Sequence, residues 1–299
     1  MSGPRAVVFT GPSLAPAQAR AALGDLEGVA VAPPVARGDL ARHRAAGART
    51  FVIVDGVFAH RRAVAPSEIV DALAAGARVL GAASLGAIRA VECRPAGMRG
   101  LGAVYRLYRL GLLRDDDEVA VATDPEREFA AVSVALVNVR YAVLAALRRV
   151  LLSRAAAQAL LHAARATYFA DRTWPALFAG AGLEWPAPDN PLRALCEAID
   201  VKRDDAVRAV GWLRRPSPAS ESPIAGRGET FVASWRTGGG LRYPGHDPLF
   251  GWEEAALQRE LAGWLGTGEE PVALWERLAR EGELSRALMR WYAAQRLGK

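Results

Sequence analysis

Four short runs of unbroken apolar residues, each closed by turn chemistry, constrain the fold of this chain more than any other feature. They lie at 6–9 (A-V-V-F), 29–31, 51–54 and 79–80. Between them run segments with helical spacing of Ala and Leu, over 16–26, 40–46 and from Pro66 to about Gly76. Strands that are apolar at every position belong in a parallel sheet covered on both sides. The alternation therefore predicts an α/β fold, Rossmann-like, with a parallel sheet and helices on both faces. Right-handed crossovers then bring the carboxyl ends of all strands to one edge, where open α/β sheets bind ligands. The polar and glycine punctuation falls at those ends: Gly11, Pro12 and Ser13; Arg37 and Asp39; Asp55 and Gly56; Ser84 and Gly86.

Further on, the pattern predicts a helix over 102–112, a fifth strand over 119–122 after the acidic run Asp115 to Glu118, and a long helix from Asp124 to about Leu152 that carries Asn138 and Arg140. Helices follow at 154–168, 174–181, 191–200 and 204–213. The expected organisation is an α/β core over 1–150, a helical appendage over 151–215, a Ser/Pro/Gly-rich linker over 216–228 and a Trp-rich helical tail over 229–299. In that tail 252–265 and 271–297 read as amphipathic helices.

With 299 residues and 51% hydrophobic content the chain can build a substantial core. Two cysteines, Cys93 and Cys196, make no disulfide framework and have no metal spacing, which points to the cytoplasm. The start of the chain has no charged-then-apolar leader, and no apolar run approaches a membrane span. The net charge of +6 rests on 38 Lys and Arg, of which only Lys202 and Lys299 are lysine. These charges are interleaved with acids, so no nucleic-acid partner is expected. There is no G-x-G-x-x-G and no Walker lysine, so no nucleotide cofactor is expected either.

The most informative stretch is R-V-L-G-A-A-S-L-G-A-I-R-A-V-E at 78–92. It reads as a strand, a turn of small residues at Ser84, and a helix entered near Leu85. Such a corner lifts a hydroxyl off the sheet and aims the first free helix amides at the same point. That suits a nucleophile beside an oxyanion hole, passive anion binding, or plain N-capping by Ser84.

An ordered set of motifs resembles a known family. It comprises G-P-S-L at 11–14, P-P-V-A-R-G-D at 33–39, V-D-G-V-F at 54–58, S-E-I at 67–69, G-A-A-S-L-G-A-I-R-A-V-E at 81–92, G-M-R-G-L-G at 97–102, D-D-E-V-A-V at 116–121 and V-N-V-R at 137–140. Together they look like the TfuA core domain, and T-Y-F-A-D-R-T-W at 167–174 and D-V-K-R-D-D-A at 200–206 extend the likeness. The resemblance implies a partner of a YcaO-type enzyme in peptide backbone thioamidation, with the precursor peptide as a further possible contact. It also implies a role with the sulfur donor, a ThiS-like carrier protein ending in a Gly-Gly thiocarboxylate. The G-A-A-S-L-G-A string is similar, too, to the nucleophile turn of Clp-type serine peptidases.

On that reading Ser84 attacks the thiocarboxylate carbon, hydrosulfide leaves and the ester hydrolyses, while the amides after Ser84, at Leu85 and Gly86, hold the oxyanion. The other reading is an adaptor that channels sulfide without cleavage. Candidates for the general base are His60, which follows the third strand, and Glu92, with Arg89 as a carboxylate clamp; Glu92 and Arg89 can equally pair with each other. Glu68 in the first turn of its helix is a further candidate or ordinary helix-start chemistry. Lys202 is read as a surface residue rather than a partner of Ser84. Asp55 and Gly56 hold a hydroxyl or cap a turn; Arg37 and Asp39 recognise the donor tail or brace their loop. Asn138 and Arg140 count among the binding candidates. Asp115 to Asp117 read as a solvated turn and Cys93 as a small buried residue, so no metal site is expected.

Overall fold

The structure, a computed structural model, describes residues 3–57, 63–214, 258–259, 261–281 and 287. His60, the linker over 216–228 and most of the two expected tail helices lie outside these residues.

Five strands form one parallel sheet: β1 Ala6–Phe9, β2 Val29–Ala32, β3 Thr50–Ile53, β4 Arg78–Ala82 and β5 Arg99–Leu101, in the order β2-β1-β3-β4-β5. The first four are the four apolar runs of the sequence. All of β1 and most of β3 and β4 are buried, whereas β2 and β5 at the edges are only partly so. Helices α1 Pro16–Leu23, α2 Asp39–Ala45, α3 Pro66–Ala74 and α4 Leu85–Glu92 make the crossovers. Both α1 and α3 open with proline at the first helical position, where its missing N–H costs nothing.

Alternate positions on the strands face opposite layers. Val8, Val52, Val54, Leu80 and Ala82 pack with Leu14, Ala19 and Leu23 from the α1 side and with Ala206, Ala209 and Val210. On the other face Phe9 stacks on Phe51 at 6.4 Å and meets the edge of the His43 ring on α2 at 5.6 Å.

After β5 come α5 Gly102–Arg109, a short hairpin of β6 Thr123–Asp124 with β7 Ala130–Ala131, and helices α6 Leu136–Arg148, α7 Arg154–Ala166, α8 Trp174–Gly180, α9 Pro191–Ala198 and α10 Val201–Trp212. Helices α6 to α9 build a second core around Leu136, Val139, Leu160, Leu177, Phe178 and Leu195. In contrast, α10 returns to the sheet and supplies Ala206, Ala209 and Val210 to its core.

Two expectations are corrected. The fifth strand is Arg99–Leu101 rather than 119–122, where the chain makes a 3-10 turn at Asp116–Glu118 and then runs without a ladder. The long helix from Asp124 begins instead at Leu136. Pro125 to Arg127 form one tight turn, and Glu128 and Phe129 adopt left-handed φ values of 50° and 62°, which no helix tolerates. Helical spacing alone could not see that reversal.

The chain divides into two units, the second holding Leu110–Leu112 and Arg242–Lys299. Within the second, a helix at Pro271–Arg280 is laced by Arg277 to Glu269 at 2.7 Å and to Glu281 at 3.0 Å. Among the described residues no helix is long and apolar enough to cross a membrane.

Candidate active site at the carboxyl edge

The strand order places the switch in chain direction between β1 and β3, the position where sheets of this order open a crevice. Here the crevice is closed from within. Asp55, just past β3 and 1% exposed, accepts the Gly11 and Ser13 amides on Oδ2 at 2.9 and 3.0 Å and the Ser13 hydroxyl on Oδ1 at 2.6 Å. A carboxylate of the chain itself thus sits where those amides would otherwise meet an anion. Gly11, Pro12 and Ser13 are consequently a clamped loop, and Asp55 is the clamp.

One strand further along, β4 ends in the Ser84 corner. The Ser84 amide donates to the Ala82 carbonyl at 2.8 Å, closing a three-residue turn centred on Ala83. Ala83 has φ = 65°, the rare and strained hand of such a turn, which costs roughly 1–3 kcal/mol. Two glycines let α4 start so close to the sheet. A Cβ on Gly86 would lie 1.8 Å from the Ile53 carbonyl oxygen, and one on Gly81 would lie 2.0 Å from the Gly86 oxygen. Gly56 makes room in the same way for the Leu85 side chain.

Ser84 occupies the N-cap position of α4, but its side chain makes no capping bond. It is 3% exposed, and its hydroxyl has no hydrogen-bond partner among the described residues. Of the amides that follow, Gly86 donates to the Val54 carbonyl at 3.3 Å and Ala87 to the Ser84 carbonyl at 2.9 Å. The Leu85 amide alone of the three has no acceptor among the described residues. An uncommitted hydroxyl beside the uncommitted amide of the next residue is the arrangement a strand-to-helix nucleophile turn provides.

The other candidates are mostly structural braces. Glu68 reaches across to accept the Gly38 amide at 2.8 Å and the Leu40 amide at 2.9 Å, so it caps α2. Asp39 accepts the Ala36 amide at 2.8 Å and the Arg42 guanidinium at 2.8 Å, while Arg37 is exposed. Glu92 pairs with Arg89 at 2.5 Å, and Arg89 also donates to the Val64 carbonyl. Eight residues of helix separate Glu92 from Ser84, a rise of about 12 Å, so the two do not meet. Burial raises the Glu92 carboxyl above its ordinary range, against the pull of Arg89. Arg140 grips Glu118 with two bonds of 2.8 and 2.5 Å, and Asn138 joins α6 to the start of α10 through Asp200 and the Val201 amide. Asp117 pairs with the buried Arg172. Among the described residues no group of three or more His, Cys, Asp or Glu is placed to hold a metal. Burial pushes the Cys93 thiol up to about 12, which leaves it protonated and unreactive.

Lys202 departs most from its expected place. It is 3% exposed, not a surface residue, and its Nζ donates to the Val119 carbonyl at 2.6 Å. Burial pushes the amine below the usual lysine range, while the charges of Asp55 and Asp200 pull it back. Burial likewise raises Asp55, opposed by Lys202. The only hint in the sequence is the scarcity of lysine itself: one of just two lysines among so many arginines, near the start of a helix.

A comparison with curated proteins gives no match. A family model does match, and it begins at Asp55, runs through the Ser84 turn and ends after the Arg172 brace. Proteins of that family are associated with YcaO-type partners in thioamidation. Over residues 55–173, therefore, this chain is similar to the TfuA-like protein family.

Proposed function

We propose that this protein works in the cytoplasm beside a YcaO-type enzyme in peptide thioamidation, and supplies sulfide by hydrolysing a thiocarboxylated carrier protein through Ser84. The single observation that carries this is the Ser84 hydroxyl, unshared at a strained turn and next to an unshared Leu85 amide. A thiocarboxylate carbon is a poor electrophile because the group is already anionic. An amide donor aimed at the developing oxyanion is what the attack needs, and one such donor is worth roughly 3–4 kcal/mol in comparable sites. The small residues Gly81, Ala82, Ala83 and Gly86 around the serine suit a carrier tail that itself lacks side chains.

The test is to mix the purified chain with a thiocarboxylated ThiS-like carrier and measure free sulfide. Release by the unmutated protein, and its loss in Ser84→Ala, is the expected result. Release at the native rate by Ser84→Ala removes the covalent mechanism.

One observation favours the adaptor as a second reading: Ser84 is only 3% exposed, so a tail must displace its cover to reach it. On that reading carrier and chain bind, but no sulfide appears until a YcaO enzyme and its peptide are added.

A further inference from the structure

We propose that Phe129, at the tip of the β6–β7 hairpin, is the residue that grips the carrier's extended tail just before its terminal glycines. This role rests on the function proposed above and names a specificity contact for it. The hairpin is a stiff arm with an unusual end. Arg172 holds its root: the guanidinium donates to the Asp117 carbonyl at 3.0 Å and pairs with the Asp117 carboxylate, and the Arg172 carbonyl accepts the Val134 amide at 2.7 Å. The Ala122 amide donates to the Ser133 hydroxyl oxygen at 2.8 Å and the Val132 amide to the Ala122 carbonyl at 2.9 Å, which ties the two arms together. Thr123 pairs with Ala131 and Asp124 with Ala130. Beyond these pairs, Glu126 to Phe129 are exposed.

That end lies on the carboxyl edge of the sheet. A Cβ on Gly11, just past β1, would lie 2.6 Å from the Pro34 side chain and 3.8 Å from the Phe129 Cβ. Phe129 therefore sits beside Gly11, yet it remains 37% exposed. Its backbone is left-handed, with φ = 62°, directly after Glu128 at 50°. Turns reserve such positions for glycine or asparagine, because a Cβ there crowds the backbone. A strained aromatic residue that stays partly in solvent gains little from folding, and outliers of this kind gather at ligand-binding sites.

The distance from this ring to the nucleophile fits a short stretch of peptide. Continued past the ladder, the register sets Gly11 level with Asp55 and Ala83, just short of Ser84. Strand β3 alone lies between β1 and β4, so their two rims are about 10 Å apart. An extended chain covers that span in about three residues. With the acyl carbon of the tail at Ser84, the terminal glycines cross the end of β3, and the ring meets about the third or fourth residue from the end. Glycine suits the crossing, because the Leu85 side chain already fills the Cβ position of Gly56. The first residue with a side chain then reaches an exposed aromatic face.

The kinetics of sulfide release from a thiocarboxylated ThiS-like carrier test this on the full chain. Phe129→Gly is expected to raise KM at least about 10-fold with kcat unchanged, the mark of a lost binding contact. Its melting temperature is expected to stay the same or rise, because glycine relieves the left-handed turn. A native KM overturns the proposal, and so does a fall in melting temperature, which marks a ring that only props the hairpin. Aspartate at the third and fourth residues from the carrier's end is expected to weaken binding to the unmutated protein and not to Phe129→Gly; equal losses in both overturn the contact. Should the unmutated protein release no sulfide, fluorescence anisotropy with labelled carrier separates the two ideas. Weaker binding by Phe129→Gly then removes the hydrolase and leaves the tail contact standing, whereas equal binding by both proteins, or none by either, overturns the contact as well.

Discussion

The Asp55 carboxylate and the Ser13 hydroxyl, 2.6 Å apart and both buried, lock together the loops that follow β1 and β3. With the Gly11 and Ser13 amides on the same carboxylate, one side chain satisfies three donors at the point where the sheet reverses its strand order. Ser13→Ala is expected to destabilise the protein by about 1–3 kcal/mol, since it leaves Oδ1 buried without its donor. Asp55→Leu is expected to cost more, because three donors then lose their acceptor together. Denaturant midpoints of the two variants check the ranking.

At Ser84 the capping and nucleophile readings predict opposite stabilities. A serine that caps its helix costs about 1 kcal/mol when replaced by alanine. Here the hydroxyl makes no capping bond. Ser84→Ala is therefore expected to leave the melting temperature unchanged or slightly raised, as is common where a site sacrifices stability for chemistry. A clear loss of stability would restore the capping role.

Glycine substitutions should divide sharply by position. Gly86→Ala places a methyl 1.8 Å from the Ile53 carbonyl oxygen, a backbone atom that cannot step aside. It is expected to cost at least about 2 kcal/mol and to disturb the Ser84 turn as well. Gly211, near the end of α10, has open space around its Cβ position and no positive φ. Gly211→Ala is expected to stabilise by about 0.5–1 kcal/mol. Paired chemical denaturation of the two variants is the measurement.

The Glu118–Arg140 pair is nearly buried and doubly bonded. Arg140→Met strands the Glu118 charge and is expected to cost about 3–5 kcal/mol. Adding Glu118→Gln in the same chain should recover much of that loss. A double-mutant cycle with no recovery would show that Arg140 acts by packing alone.

Asp205 accepts the Val104 amide at the start of α5, and burial raises its carboxyl from 3.8 to about 6. The folded protein therefore holds this proton at pH values where the unfolded chain has lost it. Its contribution to stability is fully present at low pH and declines as pH rises from about 4 to about 6, by about 3 kcal/mol. Asp205→Asn is expected to flatten the stability profile in that window, as read by thermal melts across pH.

How far the site was legible depended on whether its cause was local. The Ser84 corner was readable because small residues, a preceding apolar strand and a helical face lie within fifteen consecutive positions. The role of Glu68 was half readable: its place in the first turn of α3 is local, but its reach to the Gly38 and Leu40 amides is not. The chain reversal at Glu128 and Phe129 was invisible, because neither residue type announces a left-handed backbone.

By itself the sequence determined that four apolar strands alternate with helices, and that a serine stands where one strand turns into a helix. Both follow from the periodicity of side chains along the backbone, a local property. Only the tertiary structure decided that Arg99–Leu101 supplies the fifth strand, that Asp55 closes the switch crevice from within, and that Lys202 is drawn out of solvent. Those depend on which distant segments come together. When α10 folds back along β4, the apolar area it buries with Ala206, Ala209 and Val210 offsets the cost of carrying one amine into the interior.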